Sequence, residues 1–470
     1  MGDFWDDYLV LKPLGGGLRD LFQLLFSSNV SRNNYIESPE GATLEGAKRR
    51  MLLLISILLQ KTILFTKKPM LWVGFCIEFW LNLVSENKNF LTLLFNMIRG
   101  KLKLPDQKSP TFRSVVGHVD DRLELDKTIK YGDGRYLAAL SVMAAKLVYE
   151  NEAFIEQTVN GNWKMEFIKF FDCWDDYQEA PSTQAFMFCD KLEDPDLVVV
   201  AFRGTEPFDA NAWCTDIDFS WYELPEIGKV HGGFMKALGL QKQGGWPKEA
   251  EQHNPPRTFA FYAIKEKLEE ILERHKQARF VLTGHSLGGA LAVLFPAILA
   301  IHGDEWMLER MDSVYTFGQP RVGDEKFGEF VMQHCFKGRR GYYRFVYSND
   351  IVPRLPYDDK TLLFKHFGTC LYYDSLYNGQ IVTEEPNKNY FSPWSMLPRH
   401  MNAVWELLRS FIIGYRWGID YREGWFLRFL RVFGFIFPGL LDHNPQDYVN
   451  LTRLGTALIT SAGIESLKID

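Results

Sequence analysis

A chain of 470 residues, 46% hydrophobic, 15% aromatic and 24% charged, carries enough apolar material for one large domain with extensions. Its formal charge of −6 argues against a nucleic-acid partner. Six widely separated cysteines (Cys76, Cys173, Cys189, Cys214, Cys335, Cys370) form no metal-binding or C-x-x-C spacing and read as free thiols.

Residues 1–47 are mixed in character, with glycines at 15–17 and a Ser/Asn-rich stretch at 27–34, and are expected to be an extended or loosely packed lead-in. Early acidic residues (Asp3, Asp6, Asp7) and the lack of an apolar run predict no secretory signal. Asp6 stands where N-myristoylation needs Ser or Thr. The character changes over 48–103. The apolar runs 51–59, 62–65, 69–75 and 79–84 are broken by polar residues, and ten Lys/Arg stand against Glu78 and Glu86, a local charge of +8. No run reaches the roughly 18–20 apolar residues that span a bilayer. Apolar faces with basic flanks predict a region lying in a membrane or lipid-droplet surface; the alternative is a helical hairpin buried on the main domain.

The remainder, 104–470, reads from about residue 130 onward as an α/β domain. Short β-rich runs recur at 196–204, 279–284, 313–318, 342–348 and 362–374. An amphipathic helical pattern over 256–276 places Ile264, Leu268, Ile271 and Leu272 on one face. Strands alternating with helices predict a mostly parallel central sheet covered on both sides. A segment rich in Trp, Phe, Tyr and Arg, 404–441, is a second candidate for a lipid surface, with a core helix as the rival reading.

The chemistry concentrates at 279–292, RFVLTGHSLGGALA. A strand ends at Gly284, Ser286 occupies the turn and a small-residue helix follows. This is the G-x-S-x-G nucleophile elbow of an α/β-hydrolase: the serine is held on a strained turn, and the flanking glycines let strand and helix pass closely. His285, the serine's neighbour, is expected to point elsewhere and to pack. In this fold the acid and then the base follow the serine. Asp350, after the strand YYRFVYSN, sits where the acid is needed, and Asp324 is expected to be a loop or cap residue. His366 lies inside a strand pattern and is disfavoured as the base. Position alone leaves His400 and His443 close to even.

Six segments carry a resemblance: VVVAFRGT (198–205), KVHGGF (229–234), VLTGHSLGGALA (281–292), YTFGQPRVGD (315–324), YSNDIVPRLP (347–356) and LLDHNPQDYV (440–449). Together they resemble the fungal-type, class-three lipases. The basic apolar N-terminal region and aromatic C-terminal part look more specifically like the plant oil-body triacylglycerol lipases. The resemblance implies an α/β-hydrolase with an N-terminal helical lipid-surface extension, and Ser286 as nucleophile, Asp350 as acid and His443 as base, choosing His443 over His400. It also implies an oxyanion hole at Thr205 and Leu287, and a lid over about 206–224 bearing Phe208, Trp213, Ile217, Phe219 and Trp221. Glu206, Asp209, Asp216 and Asp218 set this lid apart from the fungal ones. The His231-Gly232-Gly233 stretch mimics an oxyanion loop, but in the resembled family it is structural.

The implied activity is hydrolysis of acylglycerol esters (triacylglycerol, with di- and monoacylglycerol as further substrates) to free fatty acids at the lipid-droplet surface. No metal or organic cofactor is expected. Two other readings remain open: a phospholipase A1 or galactolipid acylhydrolase, and a lipid-droplet coat or scaffold protein without activity.

Overall fold

The structure is a computed structural model, and it describes residues 7–240, 245–250, 256–338, 340–356, 364–386, 390–418 and 421–456. Its strands, in chain order, are β1 (Asp7–Leu11), β2 (Ile36–Glu37), β3 (Glu166–Asp175), β4 (Ala180–Cys189), β5 (Leu197–Phe202) and β6 (Trp221–Leu224). They continue with β7 (Gly228–His231), β8 (Arg279–His285), β9 (Met311–Phe317), β10 (Gly341–Tyr347), β11 (Thr369–Tyr373) and β12 (Gly379–Val382).

The lead-in is packed, contrary to the sequence expectation. The β1 strand pairs antiparallel with β6 in a small sheet ordered β2-β1-β6-β7. Helix α1 (Leu18–Phe26) folds against it, and Leu9, Leu11, Leu24, Tyr35 and Ile36 are buried together with Leu53 and Ile57 from downstream. The partner that orders β1 is a strand some two hundred residues away, which no local pattern announces.

The basic apolar region forms α2 (Ala47–Phe65), α3 (Lys67–Glu86) and α4 (Phe90–Ile98). The helices pack on the main domain by one face, as the buried-hairpin alternative expected, and keep the other face exposed. The inner face docks through polar and small residues: Ser56 Oγ donates to Ile217 O at 2.7 Å, and Asn82 Nδ2 donates to Arg113 O at 2.8 Å. The outer face leaves Met51, Leu59, Phe65, Trp72, Leu91 and Ile98 exposed. A soluble surface seldom carries so large a contiguous apolar patch unless it meets something. No described helix is long and apolar enough to cross a membrane.

The main domain is an α/β-hydrolase fold with a mostly parallel central sheet, as expected. Eight strands run in the order β12-β11-β10-β9-β8-β5-β4-β3, and the five central ones (β11, β10, β9, β8, β5) are mutually parallel. Every residue of β5, LVVVAF, is buried, which is what a strand covered on both faces requires. Helix α5 (Tyr136–Leu147) covers one face of the sheet, whereas α6 (Ala210–Asp216) belongs to the cover of the site. On the opposite face, α7 (Ala260–Arg274) buries Ile264, Leu268 and Leu272 beside α8 (Leu287–His302). The antiparallel β3–β4 hairpin was absent from the strand pattern read in the sequence. His366 precedes the fifth expected strand rather than lying in it, because that strand begins only at Thr369; residues 362–363 lie outside the described residues.

After α9 (Glu325–His334) and the last strands, the aromatic segment forms α10 (Met396–Ile412) and α11 (Trp425–Phe433) and leads to α12 (Pro445–Leu454). Its helices expose Met401, Leu408, Trp425 and Phe429, while their inner faces bury charge. Arg431 reaches Glu423 at 2.6 Å and Asp447 at 2.9 Å, and Arg409 reaches Glu406 at 2.7 Å. Burial alone would raise the Asp447 carboxyl, but Arg431 and Arg409 hold it below its ordinary value.

Candidate active site

Strand β8 delivers the chain to Ser286 and α8 carries it away. Ser286 has φ 59° and ψ −131°, a conformation that a non-glycine residue adopts only under constraint from its surroundings. A methyl group on Gly284 would lie 2.2 Å from the Gly288 carbonyl carbon, and one on Gly288 would lie 2.1 Å from Phe202 O. The elbow therefore requires both glycines for close approach. Ser286 N–H donates to Phe317 O at 2.9 Å. Leu287 opens the helix, so its N–H has no intrahelical acceptor and stands at the positive end of the helix dipole.

Asp350 lies just beyond β10, fully buried. Its Oδ2 accepts from His443 Nδ1 at 2.7 Å and from the Tyr448 hydroxyl at 2.5 Å, and its Oδ1 accepts from Val352 N–H at 2.8 Å. With the Nδ1 proton directed at the carboxylate, Nε2 is the ring atom left to act as a base, and it has no hydrogen-bond partner among the described residues. Ser286 and His443 border the same cavity. His443 sits in a short helical turn, Leu441–His443, whose entry and exit are set by α11 and α12. His400, which position alone left level with His443, is on helix α10, does not line the cavity, and its Nδ1 bonds Met396 O at 2.8 Å.

His285 packs and positions. Its Nε2–H donates to the His443 carbonyl at 2.8 Å, its Nδ1 accepts from the Tyr149 hydroxyl at 2.9 Å, and its ring stacks on His443 with centroids 4.4 Å apart. Burial pushes it well below the ordinary imidazole value, so it stays neutral. Asp324 caps α9, accepting from Phe327 N–H at 2.9 Å. His231 is buried away from the cavity, with its Nε2–H donating to Asp218 O at 2.7 Å.

Thr205 is buried at the end of β5, and its hydroxyl donates to Asp216 Oδ2 at 2.8 Å. From the expected lid, Phe208 and Trp213 line the cavity. Ile217, Phe219 and Trp221 do not. The Ile217 carbonyl accepts the bond from Ser56, and Phe219 and Trp221 pack against the N-terminal cluster. Asp216 and Asp218 are likewise buried beneath the cover rather than displayed on it.

The cavity measures about 740 Å³. Beyond the Ser286 and His443 end it is walled by Cys76, Ile77 and Leu81 of α3, by Val115 and Val119, and by Leu430 of α11. Among the described residues lining it there is no Lys, Arg, Asp or Glu.

Residues 199–360 match the family profile described as Lipase (class 3). The chain is 43% identical to triacylglycerol lipase OBL1 of Nicotiana tabacum, the alignment covering 87% of this chain and 84% of that one. It is 42% identical to triacylglycerol lipase OBL1 of Arabidopsis thaliana, over 96% of this chain and 95% of that one. This chain belongs to the class 3 lipases. The solved triacylglyceride lipase of Rhizomucor miehei is 21% identical, with a TM-score of 0.41, covering 56% of this chain and 91% of that one.

Several residues around the site of this class 3 lipase were not singled out in the sequence. Tyr448 holds Asp350 from α12, five residues past His443. Gly318, at φ +61°, ends β9 under the His–Asp pair; a methyl group there would lie 2.7 Å from the His443 ring and 2.9 Å from Asp350 Oδ2. Gly204 leaves room for the Tyr149 hydroxyl, which would be 2.2 Å from an added methyl group. A glycine directly after a β-strand was the available signal for both.

Buried carboxyls give this lipase a defined pH dependence. Burial pushes Glu150 and Asp216 up to about 7 and Asp442 up to about 8. Each stays protonated in the fold up to its folded value but ionises in the unfolded chain above pH ~4, so its stabilisation is complete only below pH ~4 and declines as pH rises from there to the folded value. Glu385 runs the other way: against burial, His366, Arg321 and Arg344 hold it down to about 2, and its contribution is lost only in strong acid. The buried histidines His231 and His285, held below their ordinary value, run the opposite way only below pH ~6.5, so the unfolding midpoint is expected to fall between pH ~6.5 and ~8. A thermal scan series whose midpoint climbed across that interval would contradict the assignment.

Proposed function

We propose that this class 3 lipase is a serine-dependent triacylglycerol lipase working at the surface of a lipid droplet. The observation that carries the substrate class is the uncharged, apolar cavity onto which Ser286 and His443 open. A phospholipid phosphate calls for a cation in its site, and a galactolipid sugar calls for several hydrogen-bonding groups. A neutral acylglycerol needs neither. The names of the Nicotiana and Arabidopsis relatives agree with this reading.

In the proposed mechanism, His443 Nε2 takes the proton of Ser286 Oγ as that oxygen bonds the ester carbonyl carbon. Asp350 keeps the imidazole in the required tautomer and stabilises the imidazolium. The backbone N–H groups of Thr205 and Leu287 receive the oxyanion, each contributing about 3–4 kcal/mol. His443 then protonates the departing glyceryl oxygen, the ester bond breaks, and water repeats the sequence on the acyl-enzyme to release the fatty acid. Phe208 and Trp213 belong to the cover of this site.

The location is supported by the outer faces of α2–α4 and of α10–α11, which are apolar on helices none of which is both long and apolar enough to cross a bilayer; basic residues flank the N-terminal set. The test is a hydrolysis panel on the purified full chain. Trioleoylglycerol emulsion is expected to be cleaved faster than phosphatidylcholine or monogalactosyldiacylglycerol dispersions; a preference for either polar lipid overturns the substrate assignment. A fluorescent fusion is expected to ring lipid droplets. Carrying Trp72→Glu, Leu91→Glu and Ile98→Glu, all exposed and outside the cavity, it should leave them while still hydrolysing a soluble ester.

A further inference from the structure

The cavity walls come largely from outside the segment that matches the family profile. That segment is 199–360, whereas α3 spans 67–86 and α11 spans 425–433. On α3, Cys76 with Trp80 and Ile77 with Leu81 stand four residues apart, which places them along one side of the helix. On α11, Phe426 with Leu430 and Phe429 with Phe433 repeat the same spacing. The remaining faces are used to anchor each helix: Asn82 of α3 bonds Arg113 O, and Arg431 of α11 is held by Glu423 and Asp447. Two fixed helices thus present facing apolar stripes across one space.

The stripes are graded in exposure. Trp80, Phe429 and Phe433 are 50%, 60% and 50% exposed, whereas Cys76, Ile77, Leu81 and Leu430 are partly buried. The half-exposed aromatics form the mouth, and the aliphatic residues with Cys76 form the wall leading inward. The mouth lies on helices whose outer faces are also apolar. Removing an aliphatic chain from water along such a wall contributes about 25 cal/mol per Å².

We propose that α3 and α11 together clasp the unbranched acyl chain of the scissile ester and set the enzyme's chain-length selectivity. This rests on Ser286 being the nucleophile of the proposed function. The chain enters past Trp80, Phe429 and Phe433 and lies against Ile77, Leu81 and Leu430, with its carboxyl end at Ser286. Selectivity then resides in accessory helices, while the hydrolase core supplies the bond-breaking groups.

The test uses the full chain and 4-nitrophenyl esters from butanoate to hexadecanoate. Ile77→Trp and Leu430→Trp, which fill the wall, are each expected to lower the ratio of kcat/KM for hexadecanoate to that for butanoate by about tenfold or more. Leu91→Trp, on an exposed face outside the cavity, should leave the ratio unchanged. Fillers that retain butanoate hydrolysis with an unaltered ratio, or that lose both esters equally while remaining folded by circular dichroism, overturn the proposal. Native protein offers a second route, because Cys76 is partly accessible and the other five cysteines are buried. Alkylation with a bulky maleimide should lower the same ratio, and Cys76→Ser should abolish that sensitivity. If alkylated Cys76 leaves the ratio intact, the chain does not run along α3. If Ser286→Ala keeps butanoate hydrolysis, the nucleophile assignment fails instead.

Discussion

Ser286→Ala is expected to lower kcat on a soluble ester by roughly 10⁶-fold, and His443→Ala by a similar factor, because the two act as one unit. Asp350→Asn should cost about 10⁴-fold. The asparagine amide cannot accept the Nδ1 proton as the carboxylate does, and it leaves the Tyr448 hydroxyl and Val352 N–H with a weaker partner. Asp324→Asn is the contrast: it removes a charge from a helix cap, asparagine caps nearly as well, and turnover should stay near normal. The measurement is kcat on purified variants whose near-ultraviolet circular dichroism matches the parent. Near-normal turnover by Ser286→Ala or His443→Ala would falsify the triad, and a severe Asp324→Asn beside a mild Asp350→Asn would move the acid.

The second large effect concerns stability. Arg431→Leu should destabilise the protein by about 3–5 kcal/mol, because it takes the buried Glu423 carboxylate's cation away and leaves Asp447 to Arg409 alone. The lost bonds lie on both sides of the turn that carries His443, so activity should fall together with the denaturant midpoint. Replacing Arg428, which is partly exposed and stacks on Phe411 and Trp425, should have a much smaller effect. Equal unfolding midpoints for Arg431→Leu and the parent would show that the buried network does not hold the C-terminal helices.

What could be read from the chain followed from how local each feature is. The elbow at Ser286 is written within a few residues, since strand, turn and helix all demand small residues there. Asp350 was legible because it follows a recognisable β-rich run. The choice between His400 and His443 was not, because His443 reaches the cavity from a segment whose position depends on α11, α12 and a buried ion network. The resemblance, rather than residue spacing, distinguished them. The same reason hid β1: its hydrogen-bonding partner is β6, and the lead-in looks loose until that strand is present. Of the apolar residues expected over the site, Phe208 and Trp213 meet the cavity, whereas Phe219 and Trp221 pack on the N-terminal cluster, a partner that no local pattern announces. For the region 48–103, composition offered a lipid-surface segment or a buried hairpin, and the helices bury one face on the main domain while the other stays exposed.

The pairing of β1 with β6 also orders events in time. Leu11 N–H donates to Ser220 Oγ at 2.8 Å across 209 residues of chain. At about 5–20 residues per second, a ribosome needs roughly 10–40 s to make the second partner after the first. Throughout that interval the inner face of α2, with Ser56 and Gln60, has no cover segment to dock on, while its outer face is already apolar. A nascent chain in this state shows both faces of α2 before it has a folded nucleophile elbow. The N-terminal sheet therefore cannot close until the segment 210–224 has been made, and Ser286, which lies further along the chain, is made later still.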